Sequence, residues 1–198
     1  MKKIFFVGIL SILLVGASYA QARIGVTAGL NASNITAKAD GISVSADYKA
    51  GFQAGLVADF GITESFSIMP ELLFSQRGSK YKEFDSSLTL NYLQLPVNAT
   101  YKFDTGMGSQ VFIFAGPYIG YALSGKQKSD DISEDVEFGS GDGEMKRLDF
   151  GLNVGAGFQY EKLFFKLQFN PGLYNLSNEK DYSTKNTNVA VTVGYYIN

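Results

Sequence analysis

The chain contains no cysteine and no histidine. Without cysteine there is no disulfide and no thiolate metal site. Without histidine the commonest general base and metal ligand are missing, and a Ser-His-acid mechanism is excluded. A formal net charge of −2 gives no pull toward nucleic acid. Beyond residue 15 no apolar run approaches the about 20 residues that a spanning helix needs. Proline is scarce at 4 residues, whereas glycine at 22, tyrosine at 12 and phenylalanine at 16 are abundant. Mean hydropathy is +0.01, the value of a soluble chain. An average, however, does not register apolar residues that alternate with polar ones.

The apolar residues do alternate. From Leu148 to Tyr160 every even position is apolar and every odd one is Gly, Asp, Asn or Gln. Strict period two means an extended strand with one greasy face and one small or polar face. Its length exceeds the about 9–11 residues that cross a bilayer at a tilt. The polar face holds nothing that could build a dry core. It fits a small wet lumen, and the apolar face fits lipid.

The N-terminus is expected to be a secretory signal over residues 1–20. Lys2 and Lys3 precede an apolar stretch from Ile4 to Val15, followed by the small residues Gly16, Ala17, Ser18 and Ala20. Cleavage is expected before Gln21 or before Arg23. No cysteine follows the apolar stretch, so there is no lipid attachment site. Residues 21–198 are sized for one domain.

Six further segments alternate: 23–33, 49–60, 65–77, 90–103, 162–175 and 188–198; a seventh candidate strand, 110–124, is apolar on both faces and is oriented with Gly116 and Gly120 toward the lumen. The connections alternate in length too. Those at 61–64, 104–109 and 161–162 are short, and those at 34–48, 78–89, 125–146 and 176–187 are long. Outer-membrane barrels have short periplasmic turns and long extracellular loops. The expected fold is therefore an all-β, eight-stranded, antiparallel up-and-down transmembrane β-barrel in the outer membrane. Parity puts Leu148, Phe150, Leu152, Val154, Phe158, Phe165, Leu167, Phe169, Val191 and Val193 against lipid. It puts Asp59, Glu71, Arg77, Lys102, Arg147, Asp149 and Lys166 in the lumen, with Tyr92 and Tyr174 among the bulky inward residues.

Two readings of the lumen charges compete: an ion or proton path, or a neutralising network that fills the barrel. The interior of an eight-stranded barrel is just wide enough for side chains to fill. Buried charges must then pair. The filling network is the preferred reading, with Glu71, Arg147, Asp149 and Lys166 as its expected members. An acidic stretch from Ser129 to Glu137, with Asp142 and Glu144, matches no calcium-loop spacing. It reads as a solvated loop, against a cation or protein contact at the cell surface. The run from Thr192 to Asn198 is similar to the C-terminal assembly signal of such barrels, ending in Asn198 where an aromatic is usual.

Three stretches carry a family resemblance. Pro70-Glu71-Leu72-Leu73-Phe74-Ser75-Gln76-Arg77-Gly78, Tyr92-Leu93-Gln94-Leu95-Pro96 and Ala115-Gly116-Pro117-Tyr118-Ile119-Gly120 occur in that order. Together they resemble the PorT-like outer-membrane β-barrel domain common in Bacteroidetes, where the position of Gln94 more often holds Glu. The resemblance implies a small OmpX-like barrel, and the family name implies a link to protein secretion of the type IX kind. The expected function is non-enzymatic: a barrel with a filled lumen and surface loops, serving envelope integrity or partner binding. The alternative is an accessory component of secretion or assembly. Expected partners are outer-membrane lipid, the barrel-assembly machinery and an unidentified extracellular or envelope partner. No cofactor, metal or nucleic acid is expected.

Overall fold

The computed structural model describes residues 22–39, 42–81, 86–129, 132–141, 143–179 and 182–198. The expected signal segment and its cleavage site lie outside the described residues, as do Asp130, Asp131 and Asp142 of the acidic stretch. The strands are β1 (Ala22–Ala39), β2 (Ile42–Ser45), β3 (Asp47–Gly61), β4 (Phe66–Tyr81), β5 (Ser86–Gly106), β6 (Ser109–Ser129), β7 (Ile132–Asp135), β8 (Leu148–Tyr160), β9 (Leu163–Pro171) and β10 (Tyr182–Tyr196). The eight long strands pair antiparallel in chain order. β10 then pairs with β1 from Gly25↔Tyr196 to Ala39↔Tyr182, which closes the ring. The short β2 and β7 lie on the loop-end extensions of β1 and β6.

The alternation puts the apolar residues outside. Along β8, Leu148, Phe150, Leu152, Val154 and Phe158 are exposed, while Asp149, Gly151, Asn153 and Gln159 are buried. Phe165, Leu167, Phe169, Val191 and Val193 are exposed on β9 and β10. A soluble sandwich would show the reverse, with apolar residues inside. The inward face fits because large side chains sit opposite glycine. On β6 and β8, Phe112 pairs with Gly157, Phe114 with Gly155 and Tyr118 with Gly151. A Cβ on Gly157 would stand 2.2 Å from the Phe112 ring.

The turn end is tight. The β5–β6 turn places Met107 and Gly108 at φ 54 and φ 76, the handedness that matches strand twist in a two-residue hairpin. The loop end differs from the sequence expectation. The segment read as the loop 78–89 largely continues as ladder, and 125–129 of the segment read as the loop 125–146 does too, so that β5 and β6 each reach 21 residues. There the outer face no longer meets lipid, so strand forms without an outward apolar row. In the other direction, the strand expected over 162–175 ends at Pro171. The chain then leaves the ladder, Tyr174 turns outward to 43% exposure, and Leu176 is buried. Tyr174 is therefore not a lumen residue.

Candidate functional site: the filled lumen

The lumen is built in layers from the turn end upward. In the first, Asp59 Oδ2 on β3 accepts from Arg23 Nη2 at 2.6 Å and from Lys102 Nζ at 2.5 Å. Arg23 also donates to Gln159 Oε1 at 3.2 Å, and its Cζ lies 4.4 Å from the Tyr196 ring centroid. Arg23 is 30% exposed, so this layer meets water at the mouth.

The second layer is fully buried. Lys166 Nζ on β9 donates to both oxygens of Glu71 on β4, each at 2.6 Å. Val57, Met69, Phe112, Phe114, Phe164 and Tyr196 form the buried apolar cluster in the same part of the barrel. Two of its rings hold the ammonium, with Lys166 Nζ at 5.7 Å from the Phe114 centroid and 5.8 Å from that of Phe164. In such low-dielectric surroundings a paired charge is held strongly and an unpaired one is costly.

An amide relay runs into this pair. Asn188 Nδ2 donates to Asn170 Oδ1 at 2.9 Å, and Asn170 Nδ2 to Asn153 Oδ1 at 2.6 Å. Asn153 Nδ2 donates to Asn98 Oδ1 at 3.0 Å, and Asn98 Nδ2 to Glu71 Oε1 at 3.3 Å. These residues come from β10, β9, β8, β5 and β4 in turn. β6 lies between β5 and β8, and the relay passes it at Gly116. A Cβ there would stand 2.8 Å from Asn98 Cα, so no side chain fits between the two asparagines.

The next layer centres on Arg77 of β4. Its Nη2 donates to Gln94 Oε1 at 2.9 Å, its Nη1 to Tyr118 Oη at 3.4 Å and its Nε to Ser75 Oγ at 3.4 Å. Asp149 Oδ2 lies 3.6 Å from Nη1 and accepts from Tyr118 Oη at 3.2 Å. The three sequence motifs thus meet here: Arg77 and Ser75 from the first, Gln94 from the second, Tyr118 from the third.

An apolar cap closes the loop end. Ile35, Leu90, Tyr92 and Ala122 are buried together, with Leu88, Val136, Phe138 and Met145 packed against them. The loops that supply it are tied to each other. Lys146 Nζ donates to the carbonyls of Asn175 at 3.1 Å and Ser177 at 2.7 Å. Asn178 Nδ2 reaches the carbonyls of Gly139, Gly141 and Glu144.

Six of the seven charged residues expected inside are buried on the inward face: Asp59, Glu71, Arg77, Lys102, Asp149 and Lys166. Arg147 is not among them. It precedes β8, donates from Nη1 to the Ala122 carbonyl at 3.1 Å and lies 4.9 Å from the Phe138 ring. The alternation that placed it inward ends at Leu148, where the strand begins. Arg23, absent from the expected set, pairs with Asp59. Its odd position in β1, in phase with Gly25 and Thr27, was the available signal. The cap was not foreseen, because its loop residues carry no periodicity. Among the described residues no three acidic side chains gather as metal ligands.

The sequence matches a family model described as outer membrane protein beta-barrel domain over residues 18–178. No curated protein matches it significantly. Among solved structures it is similar to Ail, the attachment invasion locus protein of Yersinia pestis, at 17% identity and TM-score 0.45, covering 89% of this chain and 99% of that one. It is similar to Neisserial surface protein A at 14% identity and TM-score 0.49, covering 88% and 97%. OprG from Pseudomonas aeruginosa gives 16% identity and TM-score 0.48, covering 90% and 97%.

Proposed function

From the premise that the chain belongs to the family of outer membrane protein β-barrel domains, we propose that it is a closed, non-enzymatic barrel. It spans the outer membrane with its apolar rows against lipid, reinforces the envelope, and presents its loop-end surface outside the cell. The observation that carries this reading is the Glu71–Lys166 pair, seated in the apolar cluster across the middle of the lumen. Ions crossing the barrel would have to break that pair and then part the apolar cap. Reconstitution in planar bilayers tests the reading. The expected result is no steady conductance. A stable nanosiemens-scale conductance from the wild-type protein overturns it.

The PorT-like kinship and a role in secretion rest on the three motifs alone. Those motifs converge on lumen packing around Arg77, a structural use that needs no secretion partner. Deletion of the gene, assayed for export of secreted proteins, separates the two. An export defect would favour the secretion role over the structural one.

A further inference from the structure

We propose that the outer surface of the barrel at its loop end, along β3 to β6, binds the phosphate groups of outer-leaflet lipids. The ladders place the residues row by row. The last apolar row on this face is Phe74↔Leu93↔Tyr121. The next is Gln76↔Asn91↔Ser124, joined by side-chain hydrogen bonds of 3.3 Å and 3.0 Å. Beyond it come Gly78↔Thr89↔Lys126 and then Lys80↔Ser87↔Lys128.

Residues directly opposite one another share a face of the sheet. Lys80, Lys126 and Lys128 therefore project from the outer surface, and all three are exposed. Lys49 of β3 joins them. Its ammonium donates to Thr89 Oγ1, and its Cδ lies 3.2 Å from where a Gly78 Cβ would stand. Lys49 and Lys80 are close enough to repel. Asp47 stands opposite Lys80 and Asp135 opposite Lys126 in the ladders. Among the described residues of these rows, four ammonium groups thus face two carboxylates.

The height of the Lys126 row fits lipid phosphate, and the row of Lys80 and Lys128 stands about 5 Å above it, within reach of a lysine stem. Thr89 lies four residues beyond Leu93, about 13 Å along a strand. A strand tilt of about 40° reduces that to about 10 Å above the last apolar row. The headgroup layer is about 5–8 Å thick on each side of the hydrocarbon. Lysine stems lie along the surface and bring their ammonium groups down into that layer.

The full chain reconstituted in phosphatidylcholine nanodiscs tests this, with a small fraction of either bis-phosphorylated lipid A or its phosphate-free form. Native mass spectrometry counts the lipid retained on the protein. The phosphorylated form is expected to be retained several-fold over the other. A lysine near a membrane surface gives about a fivefold preference for anionic lipid. Lys126→Gln with Lys128→Gln should therefore lower the preference by about tenfold or more, and Lys162→Gln at the turn end should leave it unchanged. Equal retention of the two lipids by wild type, or an undiminished preference in the double variant, overturns the proposal. Wild type supplies a second measurement should the double variant fail to fold. At about 1 M salt, where screening acts within about 3 Å, its preference should vanish, and survival of the preference overturns the proposal. Inorganic phosphate added to phosphatidylcholine nanodiscs should not raise the unfolding midpoint. A rise equal to that given by the phosphorylated lipid would overturn the lipid assignment.

Discussion

The middle of the lumen and its loop-end cap close the same barrel by opposite means. In the middle, Lys166 and Glu71 bring opposite charges from β9 and β4 across the interior. At the cap, Phe138 and Met145 from a loop cover Leu90 and Tyr92. A buried ion pair fails abruptly when one partner goes, because the survivor is left charged without compensation. An apolar cluster fails gradually, in proportion to the surface it loses. The lumen therefore concentrates its stability in a few pairs, whereas the cap spreads it over many contacts.

The sharpest break of this contrast is Lys166→Ala, which leaves Glu71 buried and unpaired. It should lower unfolding stability by about 3–5 kcal/mol, read from urea titration in detergent micelles. The double change Glu71→Leu with Lys166→Leu should cost far less, because both charges leave together. If the double variant is as unstable as the single one, the pair is not what the middle layer rests on. A third region, the outward face, gives the next effect. Leu152→Arg should cost about 2–4 kcal/mol if it lies near the bilayer midplane, measured by folding into lipid vesicles. The neighbouring inward Asn153→Ser breaks two links of the amide relay, each worth about 0.5–1.5 kcal/mol, and should cost less than Leu152→Arg. At the cap, Phe138→Ala removes a partly buried ring and should cost about 1–2 kcal/mol. Planar-bilayer current should stay at baseline, and a conducting Phe138→Ala variant would make the cap, not the ion pair, the seal.

These regions also differ in how much of them can be read from sequence. The membrane-crossing parts of the strands were legible because the lipid face must be apolar, whereas the lumen face mixes polar, small and a few apolar residues. That constraint writes period two into Leu148–Tyr160 and into the register of Asp59, Glu71 and Lys166. Partners were not legible, since parity says which residues point inward but not at what height. Strand stagger decides that Arg77 meets Asp149 and that Lys166 meets Glu71. The strand extensions beyond the belt, such as Ser86–Leu90 and Lys126–Ser129, have no lipid-facing apolar row, and so lack the outward half of the pattern; Leu88 and Leu90 face the cap instead. The cap residues Val136, Phe138 and Met145 lie where the acidic stretch masks a few apolar side chains.

The seam between β1 and β10 bears on kinetics. The two strands that close the ring are the most distant in the chain, and their ladder runs from Gly25↔Tyr196 to Ala39↔Tyr182. Asn198 fastens its end, accepting from the Ile24 amide at 2.7 Å and donating to the Ala22 carbonyl at 2.9 Å. This is a topology of high contact order, in which loop-closure entropy is spent before the last contacts form. Until β10 arrives, β1 and β9 each present an open edge able to pair with another chain. The interval before closure is thus when the polypeptide is most prone to aggregate, and the rate at which β10 docks sets how long that interval lasts.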